Sequence, residues 1–245
     1  MDTRTRILDA ALACFVEAGY AQTTIARIRE HSGVSNGALF HQFPTKEAIA
    51  DALYVEAMAS FQQGLWELLD RRPLSPREAV RGVIAHQIGW IEANPDRARF
   101  VYAHGNLGPD SPASAELDQL NHELADAYRR WMAPFVEAGQ IRPMPMLVLN
   151  AVVSGPTHAI ARQWLAGQAG ESLRSYLDQL ADAATAALSG PPVATARHRD
   201  AGRHGRMRLQ LVSDDGSIIA EGEATMELLP SQEGTATPPR LPPGS

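Results

Sequence analysis

Lysine is nearly missing from this chain: of 22 basic residues in 245, Lys46 alone is a lysine and the rest are arginines. Such bias fits the coding habit of a GC-rich genome, and it makes the one position that keeps a lysine worth following. Cysteine is equally scarce. Cys14 stands alone, which excludes an intramolecular disulfide and fits a reducing compartment. No long apolar run exists either. The most apolar stretch, Met144 to Ile160, is broken by Pro145, Asn150, Gly155, Pro156 and His158 and cannot cross a bilayer. Arg4 and Arg6 precede an amphipathic run holding Asp9 and Glu17, not an apolar core, so no signal peptide is expected and the expected location is cytoplasmic. The motifs of common enzymes are missing too: there is no Gly-x-Ser-x-Gly elbow, no phosphate-binding glycine loop and no paired-histidine metal motif. The eight histidines are scattered. Neither catalysis, nor a metal, nor a cofactor is expected.

What remains is a chain with 44% hydrophobic and 20% charged residues, long enough to bury a sizeable core. The net charge of -6 argues against a protein that coats nucleic acid unspecifically. Ile7, Ala11, Cys14, Phe15 and Ala18 recur at helical spacing until Gly19 stops the pattern. Thr24 can cap a second helix, ended near Ser32-Gly33, and Ser35 a third, ended by Pro44. Thr45 can cap a long fourth helix. Ser75-Pro76-Arg77-Glu78 combines a cap, a first-turn proline and a third-position glutamate, and that helix should end at Asn94-Pro95. Further helices are expected over 95–104, around Leu117 to Phe135, over Met146 to Ala166 with a kink at Gly155-Pro156, and over Glu171 to Leu188. The division is 1–44 and 45–189 as two helical domains, 190–206 as linker, 207–229 as a possible β-hairpin turning at 213–216, and 230–245 as a disordered tail.

Two short helices joined by a glycine-containing turn, across Thr24 to Phe43, form helix-turn-helix architecture. Such a unit offers the first residues of its second helix to base edges in the major groove. Here these are Asn36, Gly37, Ala38, His41 and Gln42. Asn and Gln can pair with adenine, His can donate to guanine, and Ala or Phe can touch a thymine methyl. Glycine lets the backbone approach a sugar-phosphate rail, and helix starts near Thr24 and Lys46 suit phosphates. By spacing alone, a merely solvated helical face is the competing reading.

The stretch Ile7-Leu8-Asp9-Ala10-Ala11, Phe15, Gly19-Tyr20, Thr23-Thr24-Ile25 and Ser32 through Glu47 resembles the N-terminal domain of the tetracycline-repressor (TetR) family of bacterial transcriptional regulators. The resemblance covers about the first 50 residues. It implies an all-α fold: a three-helix DNA-binding domain followed by a larger helical ligand-binding and dimerisation domain, with a short C-terminal β-hairpin extension here as a departure. It also implies a homodimer on a palindromic DNA operator, released by a small molecule. By position, Thr24 and Lys46 correspond to phosphate contacts, and Ser35, Asn36, Gly37, Ala38, Phe40, His41 and Gln42 fall on the reading helix. Phe40 departs from the usual tyrosine, whose hydroxyl reaches a phosphate. Residues 1–50 carry five bases and five acids, which predicts few phosphate contacts and a shallow salt slope.

For an effector, two groups stand out. His86 and Trp90 are one turn apart, and Asn150, Ser154 and His158 put polar groups on one face of a largely apolar helix. Buried polar groups need partners, which a ligand, a helix contact or a dimer seam can each supply. Phe100, Tyr128, Trp131 and Phe135 read as core. The expected ligand is hydrophobic or acyl in character, and its binding should shift the 75–94 and 95–104 helices, with the fourth helix carrying the change to the reading unit. The alternative is a helical adaptor, or an acyl-thioester-related protein, since Gly205 to Leu229 faintly resembles the closing hairpin of hot-dog thioesterases.

Overall fold

The computed structural model describes residues 2–104, 107, 111–170, 172–189, 204–212 and 218–227. These fall into two units, Met1–Pro192 and Val193–Ser245. The first unit is all-helical. In chain order it comprises α1 (Thr3–Ala18), α2 (Ile25–Ser32), α3 (Asn36–Gln42), α4 (Lys46–Leu69), α5 (Pro76–Ala93), α6 (Pro95–His104), α7 (Pro112–Glu137), α8 (Met146–Leu165) and α9 (Leu177–Leu188).

Local chemistry sets the helix starts. The side chains of Thr24, Ser35, Thr45 and Ser75 each accept from the backbone N–H three residues on, satisfying one donor that the first turn leaves open. Glu78 answers the Ser75 cap by accepting from Leu74 N at 2.7 Å. The stops are equally local. Gly33 takes a left-handed φ of 62° and its N–H reaches back to Arg29 and Glu30, a conformation that an L side chain adopts only at a cost. Asn94 closes α5, and Pro95 opens α6 where its missing N–H does no harm.

One difference from the sequence reading is local. The stretch expected as one helix from Glu171 begins as a 3₁₀ turn, Leu173–Tyr176, capped by Ser172, before α9 starts; residue 171 is outside the described residues. As expected, α8 runs through Pro156, and α7 likewise runs through Pro134.

The unit holds two apolar clusters. One, built on Ile7, Phe15, Ile28, Leu39, Ile49 and Leu53, joins α1 to α4 and takes in Phe100 of α6 and Leu117 of α7. The other joins α5, α7, α8 and α9 around Ile84, Ile88, Met132, Ile141, Val153 and Leu188. Among the aromatics expected as core, Phe100 and Phe135 are buried, whereas Tyr128 and Trp131 are only partly so. The charged edge of α5 is tied to α9 by Arg77 to Asp182 at 2.6 Å and Arg81 to Asp178 at 2.7 Å.

In the second unit the described backbone is that of His204–Val212 and Ile218–Glu227, paired antiparallel from His204 opposite Glu227. The expected linker up to residue 203, the turn at 213–216 and the tail 230–245 lie outside the described residues.

Candidate nucleic-acid interface and ligand cavity

Helix α3 turns its apolar side inward and leaves the rest open. Leu39 is buried, as is Phe43 just beyond the helix, while Ser35, Asn36, Gly37, Phe40, His41 and Gln42 are exposed and Ala38 is half-buried. A Cβ placed on Gly37 would meet nothing within 4 Å. Packing within the chain therefore does not demand glycine there, whereas close approach of an outside backbone would. Phe40, 44% exposed, is a large apolar ring held out in solvent. Thr24 is exposed at the start of α2, its hydroxyl accepting from Arg27 N at 3.2 Å.

The cations of this head are mostly engaged. Lys46 donates to the carbonyls of Tyr20 at 2.9 Å and Thr23 at 3.0 Å, with its ammonium 4.3 Å from the Tyr20 ring centroid. Tyr20 in turn donates to Glu47 at 3.0 Å; burial first, then that carboxylate, push its phenol up to about 12. Arg4 pairs with Glu56, Arg27 with Glu17, and Arg6 donates to Ser32 O. Among the described residues of the head, Arg29 is the cation whose side chain makes no hydrogen bond or ion pair, and it is exposed on α2. The sole lysine thus has an internal task, and Arg29 is the free charge that sequence reading passed over.

A stack of rings joins this head to α6. Phe100 lies 5.6 Å from Phe15 and 5.2 Å from His104, nearly parallel to both. His104 also meets Tyr20 at 5.5 Å and Tyr54 at 5.9 Å. Burial among these rings lowers the His104 pKa, with Asp51 opposing it.

The other side of α6 faces a cavity of about 610 Å³ between α4, α5, α6, α7 and α8, within the usual range for small-molecule sites. Its walls are largely apolar, with Met58, Phe61, Leu65, Val83, Leu124 and Met146 among them. Trp90, Asn150, Ser154 and His158 line it as the sequence suggested; His86 does not. The ring of His86 instead packs on α4 where Gly64 leaves room, since a Cβ there would lie 2.3 Å from His86 Cε1. Its Nε2 donates to Phe61 O at 2.8 Å, which fixes the protonated nitrogen because a carbonyl only accepts. One turn of separation puts His86 and Trp90 on the same side of α5, but the close approach of α4 takes the imidazole out of the cavity.

The polar groups of the cavity form two sets. Gln87 donates to Ser154 at 2.6 Å, and Ser154 to Asn150 at 3.0 Å. Tyr102 and His158 share a 2.6 Å hydrogen bond, and Arg162 lies over the Tyr102 ring at 5.1 Å. Burial, then Arg162, lower the His158 pKa, while burial pushes Tyr102 up to about 12. Two buried lining atoms, Gln87 Oε1 and the Tyr128 hydroxyl, have no partner among the described residues. Sequence reading missed Gln87, Tyr102, Tyr128 and Arg162. Arg162 was within reach, because it continues the four-residue spacing of Asn150, Ser154 and His158.

Among the described residues no group of histidine, cysteine and carboxylate side chains could hold a metal, and no helix is long and apolar enough to cross a membrane.

A profile of the family described as bacterial regulatory proteins, tetR family, matches residues 7–53, from α1 into α4. The HTH-type transcriptional repressor Rv1474c of Mycobacterium tuberculosis is 46% identical over 185 residues, 71% of this chain and 89% of that protein. In structure, a tetR-family regulatory protein of Rhodococcus RHA1 superposes with a TM-score of 0.63 at 18% identity, covering 77% of this chain and 98% of that one. The transcriptional regulator FadR of Bacillus subtilis, solved with stearoyl-CoA, superposes at 0.60 and 14% identity, over 74% of this chain and 97% of that one. The match to Rv1474c covers more than two thirds of this chain and most of that protein, and on that ground this chain belongs to the tetR family of bacterial regulatory proteins and is a DNA-binding transcriptional regulator.

Proposed function

We propose that the chain is a cytoplasmic repressor that binds a palindromic operator as a homodimer and is released by a small molecule of hydrophobic or acyl character in the α4–α8 cavity. One observation carries the link between the two halves. Helix α6 lines the cavity with Ala98, Val101 and Tyr102 and sends Phe100 and His104 the other way, into the rings and core of the reading head. A ligand that displaces α6 therefore repacks the head, and it shifts the DNA-binding equilibrium by its difference in affinity for the two packings.

At the DNA, Asn36, Gly37, Ala38, His41 and Gln42 face base edges, and Phe40 lies beside them. Thr24 and Ser35 meet phosphates at helix starts, with the exposed Arg29 as the available cation. Lys46 acts through the α1–α2 turn as much as through its charge. At the effector site, Trp90, Asn150, Ser154 and His158 contact the ligand and His86 positions α5 on α4. The exposure of Leu147 (74%) and Val148 (45%) on α8 supports a dimer seam there. The FadR solved with stearoyl-CoA supports an acyl effector by likeness of fold. The paired backbone of 204–212 and 218–227 supports a β-hairpin extension over 207–229, a docking element or a fusion remnant without chemistry of its own.

The test is fluorescence anisotropy on tiled DNA from around the coding region at two salt concentrations, with Asn36→Ala/Gln42→Ala as control. A fragment bound far more tightly than its neighbours, lost in the double variant and released by an amphiphile, is the expected result. Operator binding that requires a ligand would reverse the sign of the regulation.

A further inference from the structure

The cavity walls carry one formal charge. Among the described residues that line it, Arg162 is charged at neutral pH, no aspartate or glutamate joins it, and no carboxylate pairs with it. His158 beside it is kept neutral by burial and by that guanidinium. Such a site is set against cations and favours an anion.

Arg162 is also placed at one end. Asn150, Ser154, His158 and Arg162 follow at four-residue spacing along α8, so they form a stripe about 18 Å long. Ser154 is buried while both ends of the stripe, Asn150 and Arg162, are exposed, which puts the charge at a solvent edge of the cavity with the buried stretch beside it. The Tyr102–His158 pair adds to the same end. A phenol and a neutral imidazole bring two protons, and their 2.6 Å bond uses one. Whichever partner donates, one N–H or O–H of the pair is left over for an occupant. A guanidinium and a neutral donor side by side are an anion-binding arrangement.

We propose that the cavity takes an amphiphilic anion, with an acidic head group held by Arg162 and the Tyr102–His158 pair and an aliphatic body lying along Phe61, Leu65 and Val83. This rests on the reading of the cavity as the effector site, and names the class of effector. Cationic and neutral amphiphiles of equal length are the ligands that it rejects.

The test measures binding to the full chain without DNA, by calorimetry and by the fluorescence of Trp90 in the cavity wall. Its probes are decanoate, decanol and decyltrimethylammonium, each below its micelle-forming concentration. Decanoate is expected to bind about tenfold more tightly than decanol. Arg162→Gln should remove most of that preference, and Arg162→Glu should turn it toward decyltrimethylammonium; the exposed position of residue 162 lets both variants fold. Tyr102→Phe combined with His158→Leu, which removes both protons of the pair, should lower decanoate affinity more than decanol affinity. Equal binding of decanoate and decanol by the unaltered protein, a preference for the cation, or no binding of any of the three overturns the proposal. Operator affinity of the ligand-free protein, read separately by anisotropy, reports on the regulator reading alone, so the two can fail independently.

Discussion

The ammonium of Lys46 lies 4.3 Å from the ring centroid of Tyr20 and donates to that residue's own carbonyl at 2.9 Å. A second bond to Thr23 O makes Lys46 a clamp that holds the α1–α2 turn against the start of α4. Charged donors to backbone carbonyls are among the stronger hydrogen bonds, though partial exposure weakens these. Lys46→Met should cost about 1–2 kcal/mol of stability and lower operator affinity through the misplaced α2. Arg29→Ala, which breaks no bond within the chain, should leave the melting temperature alone and reduce the salt slope of operator binding by about one. Thermal melts and salt titrations of both variants check this. A Lys46→Met protein with unchanged melting but a reduced slope would show a phosphate ligand and not a clamp.

The packing of His86 on Gly64 yields a second prediction. A Cβ at residue 64 would lie 2.3 Å from Cε1 and 2.8 Å from Nδ1 of the ring, so Gly64→Ala must expel the imidazole and break its bond to Phe61 O. Helix propensity alone would favour alanine by about 1 kcal/mol. The expected result is the opposite sign, a destabilised protein. Combined with His86→Ala, the Gly64→Ala change should regain its ordinary helix-stabilising effect, a coupling that a double-mutant cycle on thermal melts would read.

These two sites show which part of the molecule the sequence discloses. The caps at Thr24, Ser35, Thr45 and Ser75 were legible because donor and acceptor sit three residues apart, and so were the breaks at Gly33 and Asn94-Pro95. The reading face of α3 was legible from the helix-turn-helix spacing, while the burial of Leu39 and Phe43 that turns it outward is seen in the structure. The partners of Lys46 lie 26 and 23 residues away, and those of Gln87 and Tyr102 lie 67 and 56 away. Nothing in local spacing encodes which helix comes opposite. His86 failed as a cavity residue for the same reason: periodicity fixed its side of α5, but the glycine that receives it belongs to another helix. Tyr128 read as core because aromatic residues on one face of α7 are the same letters whether they meet leucines or an open cavity.

Acid should weaken the fold before the carboxylates respond. His86, His104 and His158 all have pKa values below the ordinary 6.5, burial being the first cause in each. Below pH 6.5 the unfolded chain then binds protons that the folded one does not, so stability is full above that value and is lost as pH falls through the folded values. Asp178, held down by its hydrogen bond to Arg81, gives up its contribution only as pH drops below about 3.8. Melting temperature should therefore decline between pH 7.5 and 5.5. His158→Gln, which keeps a hydrogen-bond acceptor for Tyr102 but cannot titrate, should make that decline shallower. An identical slope in the variant would remove His158 from the account.

Phe40 provides the prediction with an expected gain. Its ring is 44% exposed on α3, so part of it meets solvent, and the family usually places a tyrosine hydroxyl there against a phosphate. Restoring that hydroxyl by Phe40→Tyr adds one neutral donor at a site open to solvent. It disturbs no packing, because Leu39 and Phe43 hold the helix. One such bond is worth about 1 kcal/mol, or about fivefold in affinity. Operator binding should tighten by that factor with the same sequence preference and an unchanged salt slope, since the new contact is uncharged. Anisotropy titrations on the operator and on a scrambled duplex would read both quantities. Tightening on the operator but not on the scrambled duplex would place residue 40 against a base and not the backbone.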